Sequence, residues 1–315
     1  MKTGCVEVEE FRAIDFHVHP FPHVPPEEIL KAMDEADVEK AVLLALDIDP
    51  SDLNIRRVRA RVEDTLLNLT MGFVFISFGE LEKQAYELMP QFRTENEYVA
   101  KLARLWPDRF VGFGSVDVCK GERYVAKTLK KIKRLKLKGV KVLPTAQFFN
   151  PSLDREIVDA VFRFCERENL IVIYHTGCDV GAFELPHLAG DANPIFLNGV
   201  LDDYPNLKIV LSHFGSYSAR YPRIWFKECV DIMKKYDNTY ADIAAVPYLL
   251  SERKSVEKIR REVGFERVLF GSDYPAVILV NIKDEKDVVE GSEHLTEHEK
   301  ELVLYENAKQ LLGSL

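Results

Sequence analysis

Short apolar runs alternate with longer segments whose apolar residues recur at helical spacing along nearly the whole chain. The runs at 13–19, 40–46, 110–117, 139–143, 171–176, 208–213, 239–244 and 267–273 read as strands. Most are unbroken apolar stretches ending at a turn residue, the pattern of strands buried on both faces. Between them the spacing predicts helices over about 26–37, 51–70, 80–105, 122–136, 152–168, 191–203, 219–236 and 250–263. Alternation of strand and helix implies right-handed crossovers and an all-parallel sheet, and eight such units close most simply into an α/β fold of the (β/α)8 TIM-barrel type. The competing architecture is an open doubly wound sheet. It carries a glycine-rich phosphate loop after its first strand, where this chain has His19-Pro20-Phe21-Pro22.

One connection breaks the compact pattern. Residues 47–109, between the second and third strands, form a predicted lid-like helical insertion over the barrel mouth; a homodimer contact is the alternative use of its aromatic stretch 71–78. Arg56, Arg57, Arg59 and Arg61 lie in this insertion. They read as solvated helix residues, one of which is placed to reach a substrate carboxylate.

Composition agrees with a single domain over 1–315. The 47% hydrophobic content is ample for one core, and barrels of this type routinely exceed 250 residues. A net charge of −9 and the lack of a basic cluster with interleaved aromatics argue against nucleic acid as a partner. The basic run from Lys130 to Lys136 has apolar residues at helical spacing and reads as a solvated helix face. The 5 cysteines are odd in number, with no Cys-x-x-Cys, which disfavours a disulfide framework and a thiolate metal site and suits a reducing cytoplasm. No membrane partner is expected. The first ten residues are too acidic for a signal peptide, and the apolar stretch 71–78 falls well short of the roughly 18 residues a span needs.

The chemistry sits at strand ends. His17 and His19 lie two positions apart at the end of the first strand and point the same way, so they can grip one metal ion from one rigid element. His175, His213 and Asp273 each close a later apolar run ahead of a turn residue. Half of the 8 histidines fall at such ends, whereas histidines without function would scatter. The catalytic mouth of a barrel is formed by the C-terminal ends of its strands, so these residues should converge on one site.

These motifs resemble the amidohydrolase superfamily, in the branch related to aminocarboxymuconate-semialdehyde decarboxylase. The resemblance rests on Asp15-Phe16-His17-Val18-His19, Lys138-Gly139-Val140-Lys141-Val142-Leu143-Pro144, His175-Thr176-Gly177, Ser212-His213-Phe214-Gly215, Gly271-Ser272-Asp273-Tyr274-Pro275 and the closing stretch 306–312, in order and at barrel spacing. It implies that His17, His19, His175 and Asp273 bind one divalent ion and a water, with His213 beside the water. Three imidazoles and a carboxylate suit zinc, with manganese or iron as alternatives. Asp273 is then a proton carrier and His213 a catalytic group that orients water or stabilises developing charge.

Lys141 is costly inside an apolar strand unless it is paired or modified. Its expected role is to bind, as an ammonium ion, a substrate carboxylate or a supporting acidic side chain; the alternative is a carboxylated lysine bridging two metals, as in binuclear members of the superfamily. Asp15 is expected on the same side as the histidine pair but deeper, in a supporting or packing role; Asp117 and Asp242 are expected either to line the mouth or to serve as loop and cap residues. His23, His187, His294 and His298 read as ordinary surface residues. The resemblance leaves two reactions: non-oxidative decarboxylation of a small aromatic or unsaturated carboxylic acid, and metal-hydroxide hydrolysis of a lactone, ester or amide. A binding scaffold without catalysis is disfavoured because every expected ligand position is filled.

Overall fold

The computed structural model describes residues 11–71, 77–179, 184–277 and 280–313. Its strands are β1 (Ala13–Val18), β2 (Val38–Leu44), β3 (Phe110–Ser115), β4 (Gly139–Val142), β5 (Ile171–Gly177), β6 (Ile209–Tyr217), β7 (Thr239–Asp242) and β8 (Val268–Leu269). All eight pair in parallel in the order β1 to β8. The sheet closes on itself where Phe16 N donates to Phe270 O (2.9 Å), Asp273 N to His17 O (2.8 Å) and His19 N to Tyr274 O (2.8 Å). The barrel inferred from the sequence is therefore the observed one.

The helices are α1 (Pro26–Glu35), α2 (Arg56–Met71), α3 (Phe78–Phe92), α4 (Asn96–Leu105), α5 (Glu122–Arg134), α6 (Arg155–Arg167), α7 (Phe226–Lys235), α8 (Tyr248–Ser251), α9 (Arg253–Glu262), α10 (Ile282–Glu290), α11 (Glu297–Glu301) and α12 (Asn307–Gly313). Sequence and structure differ in four connections. The single helix expected over 80–105 is split into α3 and α4 where Thr94 leaves the helix to exchange backbone hydrogen bonds with Leu46, and that expected over 250–263 is split into α8 and α9 at Glu252, whose backbone is extended. The single helix expected over 191–203 is three short 3-10 turns, Gly190–Ala192, Pro194–Leu197 and Leu201–Asp203. Pro194 opens the second turn and Gly199 takes φ +78°, which a continuous helix does not allow. The helix expected from 219 begins only at Phe226. Among the described residues no helix is long and apolar enough to cross a membrane.

Ile14, Phe16, Val42, Leu44, Phe113, Ile171, Ile173, Val210 and Leu269 fill the barrel interior, and Tyr305, Ala308 and Leu311 from the C-terminal helical segment seal its lower end. Alternate residues such as Ala13, Ala41, Leu43, Val140, Val172 and Leu211 face the surrounding helices. This alternation positions the site: on β5, Ile171 and Ile173 lead to His175, and on β7 the inward position above Tyr240 is Asp242.

β1 departs from strict alternation. Asp15 pairs with Ala41 and Val18 with Leu43, three steps against two, so the strand bulges at residues 16–17. A bulge re-aims the side chains beyond it. Phe16 thus belongs to the interior layer, yet His17 and His19 also point into the barrel mouth. Asp15, expected on the side of the histidine pair, instead turns to the β1–β8 seam. Its carboxylate accepts the Ser272 amide (3.0 Å) and hydroxyl (2.5 Å) and the His17 amide (3.0 Å). Burial pushes its pKa up to about 7, against the opposing pull of those bonds.

Candidate metal centre

His17, His213 and Asp273 bring one potential ligand atom each within 4.8 Å of one another, and all three are buried. His17 Nε2 lies 3.4 Å and His19 Nε2 3.2 Å from Asp273 Oδ1. The His213 ring stands 4.8 Å from that of His17 and 4.9 Å from that of His175. The residues expected at strand ends thus share one buried cluster.

The outer nitrogens are held from behind. His17 Nδ1 faces Asp242 Oδ2 at 3.0 Å, and His213 Nδ1 faces the Ala244 carbonyl at 2.8 Å. A proton held on each Nδ1 leaves Nε2 free to ligate, the usual arrangement of metal-binding imidazoles. Asp242 Oδ1 also accepts the backbone amides of His213 (2.7 Å) and Ala244 (3.2 Å). Expected to line the mouth or to serve in a loop or cap, Asp242 is instead the brace beneath two histidines. Asp117 takes the alternative role of a cap rather than lining the mouth: it is fully buried away from the cavity, and its Oδ1 accepts the Cys119 amide at the start of the turn Val118–Lys120.

Two further atoms point to a missing partner. His19 Nδ1 and His175 Nε2 are buried without a hydrogen-bond partner among the described residues, although Asp179 Oδ1 lies 3.5 Å from His175 Nε2. A buried polar atom left unpaired costs about 1–3 kcal/mol. Burial, reinforced by Lys141, drives the pKa of His17 well below the usual histidine value; burial and then the neighbouring His213 do the same for His175, and burial lowers that of His213. These imidazoles are neutral, the ligand form. Burial alone would raise the Asp273 pKa, but the bond from His19 and the facing His17 and His213 hold it well below the usual carboxylate range. Neutral imidazoles, an ionised carboxylate and an orphaned ring nitrogen fit a divalent cation.

Both His213 (φ +62°) and Asp273 (φ +61°) occupy the left-handed region, a conformation costing about 1–3 kcal/mol where the surroundings impose it. On β6 the chain turns through His213, Phe214 and Gly215 and then resumes pairing up to Tyr217, whose ring stacks on His213 at 4.4 Å. At Gly177 an added Cβ would lie 2.5 Å from Tyr217 Cβ, so glycine there lets the two strands approach. Sequence reading ended this strand at 213 and missed Tyr217.

Lys141 is buried on β4 with Nζ 3.2 Å from His17 Nε2 and 3.1 Å from Ser212 Oγ. Burial lowers its pKa to about 8, opposed by Asp242, Asp273 and Asp179. Asp179, also missed in the sequence, binds the Thr145 hydroxyl, and burial raises its pKa to about 6. Its only sequence signal is its place four residues after His175.

Above these groups lies a cavity of about 130 Å³. His19, Lys141, His175, Asp179, His213, Tyr217 and Asp273 form its polar side; Phe21, Ile48 and residues of α3 line much of the rest. None of the four insertion arginines lines it. Arg57 and Arg61 pair with Asp154, and Arg59 with Glu63, so the arginine expected at a substrate carboxylate is not found there. Residues 72–76 of the aromatic stretch lie outside the described residues. His23, His187 and His298 are exposed. Cys119, Cys165, Cys178 and Cys229 are free thiols.

The amidohydrolase family profile matches residues 14–314. A curated protein of Dictyostelium discoideum, 2-amino-3-carboxymuconate-6-semialdehyde decarboxylase, is 25% identical over 237 residues, which cover 69% of this chain and 65% of that protein. The chain thus spans less than two thirds of that relative. An uncharacterised TIM-barrel protein from Bordetella bronchiseptica has a TM-score of 0.68 at 18% identity, covering 96% of this chain and 99% of its own. A 5-carboxyvanillate decarboxylase from Novosphingobium aromaticivorans, solved with manganese and 4-hydroxy-3-methoxy-5-nitrobenzoic acid, has a TM-score of 0.58 at 18% identity, covering 91% and 79%. At such identities these likenesses establish the shared barrel.

Proposed function

The chain belongs to the amidohydrolase family, and from that premise we propose that it is a metal-dependent carboxy-lyase that removes CO2, without an oxidant, from a small aromatic or unsaturated carboxylic acid. The observation that carries this reading is the buried Lys141 ammonium set beside a neutral histidine cluster at the polar end of an otherwise apolar cavity. A carboxylate is the group such a site can desolvate and hold. The names of the Dictyostelium and Novosphingobium proteins, both decarboxylases, support the same class.

In this reading His17, His19, His175 and Asp273 hold one divalent ion, with zinc preferred from the donor set and manganese or iron as alternatives. Once bound, the ion supplies a Lewis acid that polarises a substrate oxygen. Lys141 binds the carboxylate. As the bond between the carboxyl group and its carbon breaks, the electron pair stays on that carbon, which takes up a proton while CO2 departs. That proton comes from solvent: Asp273, a carboxylate at rest, takes it up, passes it to the carbon and returns to its ionised form, while His213, its Nδ1 fixed by Ala244, orients the transfer. α3 acts as the lid that keeps water from the cavity.

The test is a screen of aromatic carboxylic acids against lactones and esters with the metal-loaded protein, scoring CO2 separately from acid release. CO2 from an acid supports the proposal. Acid release from a lactone or ester, with no CO2 from any acid, assigns the site to hydrolysis.

A further inference from the structure

The cavity is charged on one side only. Among the described residues that line it, Lys141 is the one lysine and no arginine is present. The internal segments outside the described residues, 72–76, 180–183 and 278–279, contain no charged residue either. Ala85, Leu88, Met89 and Phe92 of α3 meet Phe21 and Ile48 on the apolar wall, and Gln84 is the only polar residue that the helix adds. Positions 84, 85, 88, 89 and 92 fall on one helix face, so a single element sets this wall. The volume of about 130 Å³ is close to that of a cavity that takes one benzene, roughly 150 Å³.

We propose that this site selects monocarboxylates of single-ring size whose far end is uncharged, and that the apolar face of α3 rejects a second carboxylate. The inference rests on the reading of Lys141 as the carboxylate-binding group. With Lys141 engaged by the first carboxylate, a second one on the far side of the ring is desolvated against Leu88 and Met89 with no cation to meet it. Only a positive charge placed on that face removes the discrimination.

The experiment measures binding to the metal-loaded full chain by calorimetry, with 4-methylbenzoate and terephthalate as a pair matched in shape. The expected result is roughly tenfold or more tighter binding of 4-methylbenzoate, with the ratio falling to about threefold or less in Leu88→Lys. Gln84→Lys, at an exposed position on the same face, gives the same shift should Leu88→Lys fail to fold. Equal affinity for the two acids, or no measurable binding of 4-methylbenzoate, overturns the selection; a ratio unmoved in both lysine variants overturns its assignment to α3. Because the readout is binding, failure to release CO2 from any acid removes the carboxy-lyase reading and leaves the selection standing.

Discussion

Asp242 Oδ2 lies 3.0 Å from His17 Nδ1, and this contact fixes which face of the imidazole meets Asp273. Replacing Asp242 with Asn puts an amide donor in that place or swaps the acceptor away from the His213 amide. Metal affinity should fall about 10–100-fold, the usual effect of losing a partner behind a ligating histidine. A chelator-competition titration reads this directly, and an unchanged affinity removes Asp242 from the ligand-orienting role.

His175→Ala should lower metal content markedly, since the orphaned Nε2 is the atom placed to ligate. Full occupancy in the purified variant counts against that assignment.

For His213 the outcomes diverge more sharply, because its ring nitrogen lies in the same tight group as a ring nitrogen of His17 and a carboxylate oxygen of Asp273. As a catalytic group it can be replaced by Asn with metal largely retained and turnover slowed roughly 10²-fold or more. Loss of the metal in His213→Asn makes it a ligand instead. Elemental analysis beside a rate measurement separates the two.

Lys141 should hold its substrate as an ammonium ion, so affinity for an anionic acid should decline as pH rises through about 8. The stability effect has the opposite sense. Its folded pKa lies below the ordinary value of 10.5, so the cost of burying its charge is fully present below about pH 8 and is relieved as pH rises toward 10.5. The stability difference between Lys141→Met and the parent apoprotein should therefore favour the variant most below pH 8 and shrink toward pH 10. A bridging carboxylated lysine predicts otherwise: two metals per chain with added bicarbonate, one of them lost on substitution.

Asp117 shares a buried pocket with Asp52 and Asp47, and burial followed by the contact with Asp52 raises its pKa well above the usual range. The folded protein keeps a proton there that the unfolded chain releases near pH 4, so this group withdraws stability as pH climbs from about 4 to about 9. Asp117→Asn preserves an oxygen for the Cys119 amide and removes the titration. Its melting temperature relative to the parent should rise between pH 5 and pH 8; a constant difference rules the effect out.

Much of this was legible because barrel strands advertise themselves. Eight buried apolar runs, each ending at a turn residue, mark the strands and put His17, His19, His175, His213 and Asp273 at one end of the barrel. What stayed hidden depends on local backbone departures. The bulge at residues 16–17 has no composition of its own, so simple alternation placed Asp15 on the wrong side. The left-handed turn at His213 and Phe214 made β6 look finished four residues early and concealed Tyr217. Arg57 and Arg61 of α2 could not be assigned because their shared acidic partner, Asp154, lies far away in sequence.

The seam between β1 and β8 has a temporal meaning. Asp15 and Ser272, 257 positions apart, are joined there, and the histidines of the first strand meet the aspartate of the last just above. A chain emerging from the ribosome presents its histidine pair about 250 residues before its aspartate. In the proposed metal site, stable capture of an ion therefore waits for the eighth strand, and retention of the ion reports that the ring has shut.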